Sequence, residues 1–220
     1  MGVSEDKLVL KPANLSFEEA AAVPMAAVTA LQSLRDKGKI QLGHKVLING
    51  AGGGMGTFAV QIAKYFGAEV TGVDSSRKLD MLRSIGADHV IDYKQEDFTR
   101  NEQQYDLILD VVAYRSIFAY RRALDPEGIF IYVGGSTSAI FQALLLGPLI
   151  SRTGRKKVGV GMWKPNNKED LDFLTELIEA GKVAPVIDKR YPLSEVPEAL
   201  RYLEEGHAQG KVIITVEHNH

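Results

Sequence analysis

The residues best suited to chemistry lie in Lys45-Val-Leu-Ile-Asn-Gly-Ala-Gly-Gly-Gly-Met-Gly-Thr57, an aliphatic run that feeds a glycine-rich turn. Residues without a Cβ let the main chain turn tightly and let a bulky anion approach its N–H groups. A helix opening at such a turn presents unpaired N–H groups and the positive end of its dipole to the same point. The chemistry implied is recognition of a pyrophosphate. Asp74, eighteen residues beyond Gly56, adds a carboxylate that can accept hydrogen bonds from an adenosine ribose. Within the pattern G-x-G-x-x-G the stretch reads as Ala51-x-Gly53-x-x-Gly56, with alanine in the first place. A reading from Gly50 keeps Gly50 and Gly52 but meets Met55 where the third glycine belongs. Asp74 has a second reading, as N-cap of the helix that Ser75 and Ser76 introduce, and an N-cap aspartate still has a free oxygen.

Alternating strands and helices must position these groups. Strands are expected at 45–49, 69–73, 89–91, 106–111, 129–133 and 158–162, and helices at 56–66, 76–85, 116–124, 139–149, 168–180 and 195–205. The strands are apolar without strict alternation, which marks a parallel sheet buried on both faces. Six of them fit an α/β fold, a doubly wound parallel sheet in the order 3-2-1-4-5-6. Two further loops, Asp110-Val-Val-Ala113 and Val133-Gly-Gly-Ser136, then fall at its carboxyl edge, with small residues that allow a flat ring against the main chain. Ahead of the sheet, Leu8 to Pro12 reads as extended and Ser16-Phe-Glu-Glu19 as a capping box. The helix that box opens is interrupted at Pro24, and a second runs from Met25 to Asp36, ended by Lys37-Gly38. Beyond the sheet, residues 185–192 are an extended piece, 194–203 an amphipathic helix with Pro197 in its first turn, and 210–216 a final strand.

Composition narrows the classes. A chain of 220 residues has room for one full domain and an appendage. A net charge of -2 leaves no electrostatic footprint for nucleic acid, and the basic run from Arg152 to Lys157 reads as a solvated turn. No segment has the apolar length of a membrane span, since Ala139 to Ile150 is interrupted by Gln142, Gly147 and Pro148. With no signal peptide at the start, a cytoplasmic setting is expected. The absence of cysteine excludes disulfides and thiolate metal sites. The histidines show no metal-ligand spacing except His218 and His220, read as a frayed tail, so no metal site is expected. Trp163, the single tryptophan, reads as packing.

Together the segments resemble one family. Ala20 to Leu31 ahead of Ala51-Gly-Gly-Gly-Met-Gly-Thr57 is similar to the medium-chain dehydrogenase/reductase superfamily. Ile85-Gly-Ala-Asp-His-Val-Ile-Asp-Tyr93, Tyr191-Pro-Leu-Ser-Glu-Val-Pro-Glu-Ala199 and Gly210-Lys-Val-Ile-Ile214 resemble its quinone-oxidoreductase branch. The resemblance implies an NAD(P)(H)-dependent oxidoreductase, zinc-independent, acting on a quinone, carbonyl or activated alkene. It places Gly53, Gly54, Met55 and Gly56 at the pyrophosphate, Thr29 near the nicotinamide, and Val112, Ala113, Gly134 and Gly135 along the nicotinamide ribose. Lys78 and Tyr93 match positions that hold the 2′-phosphate of NADPH, whereas Asp74 departs from the small residue of those relatives. A carboxylate repels a 2′-phosphate and suits a free 2′-OH. Arg77 and Lys78 pull the other way, so NAD and NADP both stay open, with Asp74 inclining the balance to NAD.

The resemblance also implies a division into 1–44 (linker and helices), 45–185 (Rossmann domain) and 186–220 (a segment completing a catalytic domain). It further implies that the N-terminal GroES-like domain of such proteins is missing, which leaves two readings. One is a reductase in which the cofactor carries the chemistry and the protein supplies orientation. The other is an isolated cofactor-binding module without turnover. A methyltransferase is disfavoured by the flanking segments, and a short-chain dehydrogenase by the lack of any tyrosine with lysine four residues on. The expected partners are the nicotinamide dinucleotide, a small-molecule substrate and a second copy paired through the sixth strand, with no nucleic acid and no membrane.

Overall fold

The computed structural model describes residues 4–5, 8–161, 164 and 167–216. Trp163, expected to pack, and His218 and His220, expected in a frayed tail, lie outside the described residues, as does Met162.

Six strands form one sheet: β1 (Lys45–Asn49), β2 (Glu69–Asp74), β3 (His89–Asp92), β4 (Tyr105–Asp110), β5 (Leu124–Tyr132) and β6 (Lys157–Val160). Their order is β3-β2-β1-β4-β5-β6 with every pairing parallel, the doubly wound order expected from the alternating pattern. Successive residues of a strand point to opposite faces. Val46, Ile48, Leu107 and Leu109 therefore enter one apolar cluster, and Leu47, Ile108, Phe130 and Tyr132 enter the other. Two short helices are α1 (Phe17–Ala21), ahead of the sheet in the chain, and α4 (Leu79–Ser84), which follows β2 and packs on β2 and β3. The first cluster is closed by α2 (Pro24–Gln32), α3 (Gly56–Tyr65) and α7 (Lys168–Glu179), through Leu31, Phe58, Ile62, Leu174 and Ile178. The second includes Tyr120 of α5 (Ile117–Ala123) and Ala139 and Ala143 of α6 (Thr137–Thr153). With both faces covered, the central strands carry unbroken apolar runs, Val46 to Ile48 and Leu107 to Leu109, which is why no strict alternation appears in the sequence.

Several boundaries differ from expectation for identifiable reasons. β5 begins at Leu124 rather than 129 because Leu124 pairs with Tyr105 before a register shift between Tyr105 and Leu107. α6 runs four residues further than its expected end at 149, through Gly147 and Pro148. Gly147 is where the helix meets the sheet, since a Cβ there would lie 3.0 Å from Val158. α1 carries the capping box, with the Glu19 amide donating to Ser16 Oγ at 3.2 Å and the Ser16 amide to Glu19 Oε2 at 2.7 Å. The helix expected from Met25 to Asp36 is α-helical only to Gln32. It then widens into a π-turn over Ser33–Lys37, closed by the Gly38 amide on Ser33 O at 2.8 Å. Gly38 is tightly enclosed, because a Cβ would meet Leu107 at 2.7 Å.

After α7 the chain forms β7 (Ile187–Pro192), α8 (Val196–Glu204) and β8 (Lys211–Thr215). β7 and β8 make a separate two-stranded parallel sheet. An isolated bridge between Gly53 and Gly210 brings the start of β8 against the glycine-rich turn.

Candidate nucleotide-binding site

The turn after β1 is fixed from below. The amides of Gly50 and Ala51 both donate to Val73 O on β2, at 3.0 and 3.1 Å, and Gly50 takes φ +79°, a conformation that favours glycine. α3 then starts with Met55 as N-cap and no side-chain cap. The amides of Met55 and Gly56 find no acceptor among the described residues, so they are available to an anion, while the Gly54 amide faces Gly210 O across the bridge to the start of β8. The glycines differ in what demands them. A Cβ on Gly56 would lie 2.2 Å from Gly50 O and 2.5 Å from Ala51 O, so helix and turn pack there without space for a side chain. A Cβ on Gly53 would meet only Gly50 O, at 3.5 Å, so the protein itself leaves that position open.

At the tip of β2, Asp74 does not cap the following helix. That turn, Ser76–Lys78, has Ser75 as its N-cap. Asp74 instead accepts from the Gly52 amide through Oδ2 at 2.8 Å and from the Ser75 amide through Oδ1 at 2.8 Å. Lys78 Nζ stands 3.3 Å from Asp74 Oδ1, with both side chains buried, and also donates to Gly206 O at 3.4 Å. The carboxylate whose spacing suits a ribose is thus already tied to the turn and to a cation.

These groups line one wall of a cavity of about 560 Å³. Gly53, Gly54, Asp74, Lys78, Tyr93 and Val112 all face it. So do Arg77, Lys94 and Tyr114, and, from the segment between α8 and β8, His207 and Ala208. Thr29 and Met55 belong to a second cavity of about 320 Å³ with Met25, Val133, Gly161 and Lys211. The Thr29 hydroxyl donates to Met25 O of its own helix at 2.6 Å. Ala113, Gly134 and Gly135 line neither cavity. Ala113 is buried, its amide donates to Gly134 O at 2.8 Å, and its carbonyl accepts from Ser136 at 2.8 Å. A Cβ would lie 2.6 Å from Val111 O at Gly134 and 2.2 Å from Ala113 O at Gly135. Loop-to-loop packing by itself demands the small residues at these positions.

Lys211, which the sequence marks only as the start of a strand, lines the smaller cavity and reaches the glycine turn. A Cβ on Gly54 would touch its Cδ at 2.7 Å, so the side chain lies directly over the turn. Burial lowers its pKa, and no carboxylate pairs with it among the described residues. An unpaired cation beside bare amides suits a phosphate. The signal in sequence is the pair Gly210-Lys211, where Gly210 takes φ +99° and a Cβ would strike Val186 O at 2.3 Å.

A family model described as zinc-binding dehydrogenase matches residues 85–214. The chain belongs to this family. It is a medium-chain dehydrogenase/reductase of the quinone-oxidoreductase-like branch. It is 37% identical over 215 residues to 2-methylene-furan-3-one reductase of Solanum lycopersicum, covering 96% of this chain and 50% of that protein. To the mitochondrial NAD(P)H oxidoreductase RTN4IP1 of Homo sapiens it is 33% identical, covering 97% of this chain and 59% of that one. The solved quinone oxidoreductase of Coxiella burnetii superposes with a TM-score of 0.85 at 31% identity, over 97% of this chain and 65% of the other. The chain therefore spans about half to two thirds of the length of these family members. The family's name implies zinc, but the donors do not fit it. Among the described residues no group of three or more His, Cys, Asp or Glu stands together, and the sequence has no cysteine. A nicotinamide dinucleotide does fit, because the turn offers bare amides, an open Gly53 and an unpaired lysine.

Proposed function

We propose that this chain binds a nicotinamide dinucleotide across the two cavities and serves reduction of a quinone, a carbonyl or an activated alkene. The observation that carries the reading is the pair of free amides at Met55 and Gly56, beside the open Gly53 and with Lys211 over the turn. The relatives' names, which include an NADPH-dependent alkenal/one oxidoreductase of Arabidopsis thaliana, support the substrate class. The bound cofactor supplies a hydride, so the protein needs no nucleophile. The glycine turn and Lys211 fix the pyrophosphate. Thr29, Met55 and Val133 bound the smaller cavity, where the nicotinamide end would lie.

A second reading, a cofactor-binding module without turnover, draws on that same cavity. Its one hydroxyl, on Thr29, is engaged by the Met25 carbonyl, and Met25 itself is two-thirds exposed at 66%. The discriminating assay is reduction of a simple quinone and a simple enone by the purified chain with NADPH and NADH. Turnover supports the enzyme, and saturable binding without turnover supports the module.

We further propose that the site takes both NAD(H) and NADP(H). The Asp74 charge is offset by Lys78 and two amides, while Arg77 and Lys94 face the same cavity. Asp74→Ser is expected to raise the NADP(H)-to-NAD(H) affinity ratio about tenfold, roughly 1.4 kcal/mol, by removing repulsion on a 2′-phosphate. Competitive titration with both cofactors measures it, and an unchanged ratio would remove Asp74 from the specificity argument.

We propose a homodimer through β6 in a cytoplasmic setting. Among the described residues no strand pairs with the outer edge of β6, and the neighbouring helix α6 exposes Phe141, Leu144 and Leu145. Light scattering coupled to size exclusion is expected to give twice the chain mass, and monomer mass alone would refute pairing.

A further inference from the structure

Asp110 ends β4 with its carboxylate fully enclosed. Its carbonyl accepts from the amides of Val133 at 2.9 Å and Gly134 at 3.4 Å. Its Oδ1 accepts from the Val112 amide at 3.0 Å and from Asn49 Nδ2 at 2.9 Å. Oδ2 has no hydrogen-bond partner among the described residues. It is influenced by Tyr120 of α5, whose hydroxyl oxygen accepts from the amides of Tyr114 at 3.3 Å and Arg115 at 3.2 Å. The loop between β4 and α5 therefore hangs from a carboxylate on one side and a phenol on the other.

The titratable or charged groups that act on Asp110 are Tyr120 from α5, Tyr132 from β5 and Arg115 from the loop, while β1 contributes the neutral Asn49. Burial, reinforced by the Asp110 charge, raises the pKa of both tyrosines, so both stay protonated near neutrality. Burial pushes Asp110 itself up to about 6, against the opposing influence of the Tyr120 hydroxyl, hydrogen bonds from Val112 and Asn49 and the charge of Arg115. Asp110 is the member of this group that changes state between pH 5 and 8.

We propose that Asp110 is a positioning residue for the nucleotide site, holding the Val112–Arg115 wall of the larger cavity in its binding shape through an ionised carboxylate. The inference rests on the proposed nucleotide binding. When ionised, Asp110 only accepts, which suits the Val112 and Asn49 amides and leaves the Tyr120 oxygen to its two amides. When protonated, the buried Oδ2 becomes a donor without an acceptor, and the oxygen that acts on it, that of Tyr120, already takes two amides. An amide of Tyr114 or Arg115 must then let go, and Val112 and Tyr114 face the cavity. The proton acts on the ligand through the loop, with no contact between them.

Binding and stability then carry opposite signs. A carboxyl whose pKa is raised by folding adds stability that is full below about 4 and lost as pH rises through about 6. Binding needs the ionised form, so the apparent Kd is divided by the ionised fraction and weakens about tenfold between pH 8 and pH 5.

The test is calorimetric titration with NAD+, the oxidised form, from pH 5 to 8 on the wild type and on Asp110→Asn, with melting curves of both. The wild type is expected to weaken about tenfold toward pH 5. Asp110→Asn is expected to bind at least about tenfold more weakly at pH 8, with a flat pH profile and a melting temperature no lower than wild type. His207 and Lys94 line the cavity in both proteins, so the ratio between them isolates Asp110. A purely structural Asp110 would lower the melting temperature and leave the pH slope in place. A flat wild-type profile, or a variant that binds like wild type, overturns the proposal. Should Asp110→Asn fail to fold, Tyr120→Phe removes the second anchor. Weaker binding by that variant at pH 8 supports the proposal, and equal binding overturns it. If the wild type binds neither NAD+ nor NADP+ at pH 8, the nucleotide reading itself has failed, a distinct result.

Discussion

Gly53→Ala is expected to abolish measurable dinucleotide binding while leaving the melting temperature within a degree or two of wild type. Gly56→Val is expected to lose both. The two glycines sit three residues apart in one motif, but different atoms demand them. At Gly56 a Cβ would lie 2.2 to 2.6 Å from the main chain of Gly50 and Ala51, and main chain cannot rotate aside. Overpacking of that kind costs about 3 kcal/mol. At Gly53 the nearest atom is 3.5 Å away, and its φ is not among the positive ones. Alanine there is nearly neutral for folding, to within about 0.5 kcal/mol. The methyl group instead occupies space that a pyrophosphate must enter, a loss of at least about 100-fold, or 2.7 kcal/mol. Calorimetry and thermal unfolding on the same samples separate the two effects. Wild-type affinity in folded Gly53→Ala would mean that no phosphate group rests on this turn.

Lys211→Met is expected to move binding and stability in opposite directions. The ammonium is held partly out of water over Gly54 without a paired carboxylate among the described residues, and burial lowers its pKa. A lysine whose pKa is depressed by folding disfavours the folded state at neutral pH, and that penalty fades as pH rises through the lowered value. Methionine keeps the stem's packing and removes the charge, so the free protein should hold its stability or gain up to about 1 kcal/mol. Binding should weaken by about 10- to 100-fold, as expected for a charge-assisted hydrogen bond worth about 1.5–3 kcal/mol. A variant that is less stable and binds normally would show that Lys211 only packs.

Much of the fold is legible in the sequence because it rests on local patterns. Val46 to Ile48 and Leu107 to Leu109 are apolar at every position, which only a sheet covered on both faces explains, and the turn at Gly50 to Gly56 marks where the first crossover begins. What escapes is set by contacts distant in sequence. β5 starts early because Leu124 finds Tyr105, and a register shift is invisible in either segment alone. The spacing of Asp74 suits a ribose ligand, and nothing in that spacing shows that the Gly52 amide and Lys78 also hold the carboxylate. Gly134 and Gly135 look like a floor for a ring, while the pairing with Ala113 that occupies them depends on two loops meeting. Lys211 lies 157 residues beyond Gly54 and reaches the turn only because β8 bridges back through Gly210 to Gly53. Asp110 follows the apolar run Leu107 to Leu109, and its burial follows from α5 and β5 closing over it.

The central claim is that the glycine-rich turn, roofed by Lys211, holds a nicotinamide dinucleotide. Calorimetric titration of the purified chain with NADPH and with NADH at pH 8 tests it most directly. Saturable binding of one cofactor per chain, absent from folded Gly53→Ala, is the predicted result. A folded wild-type chain that takes up neither cofactor would contradict it.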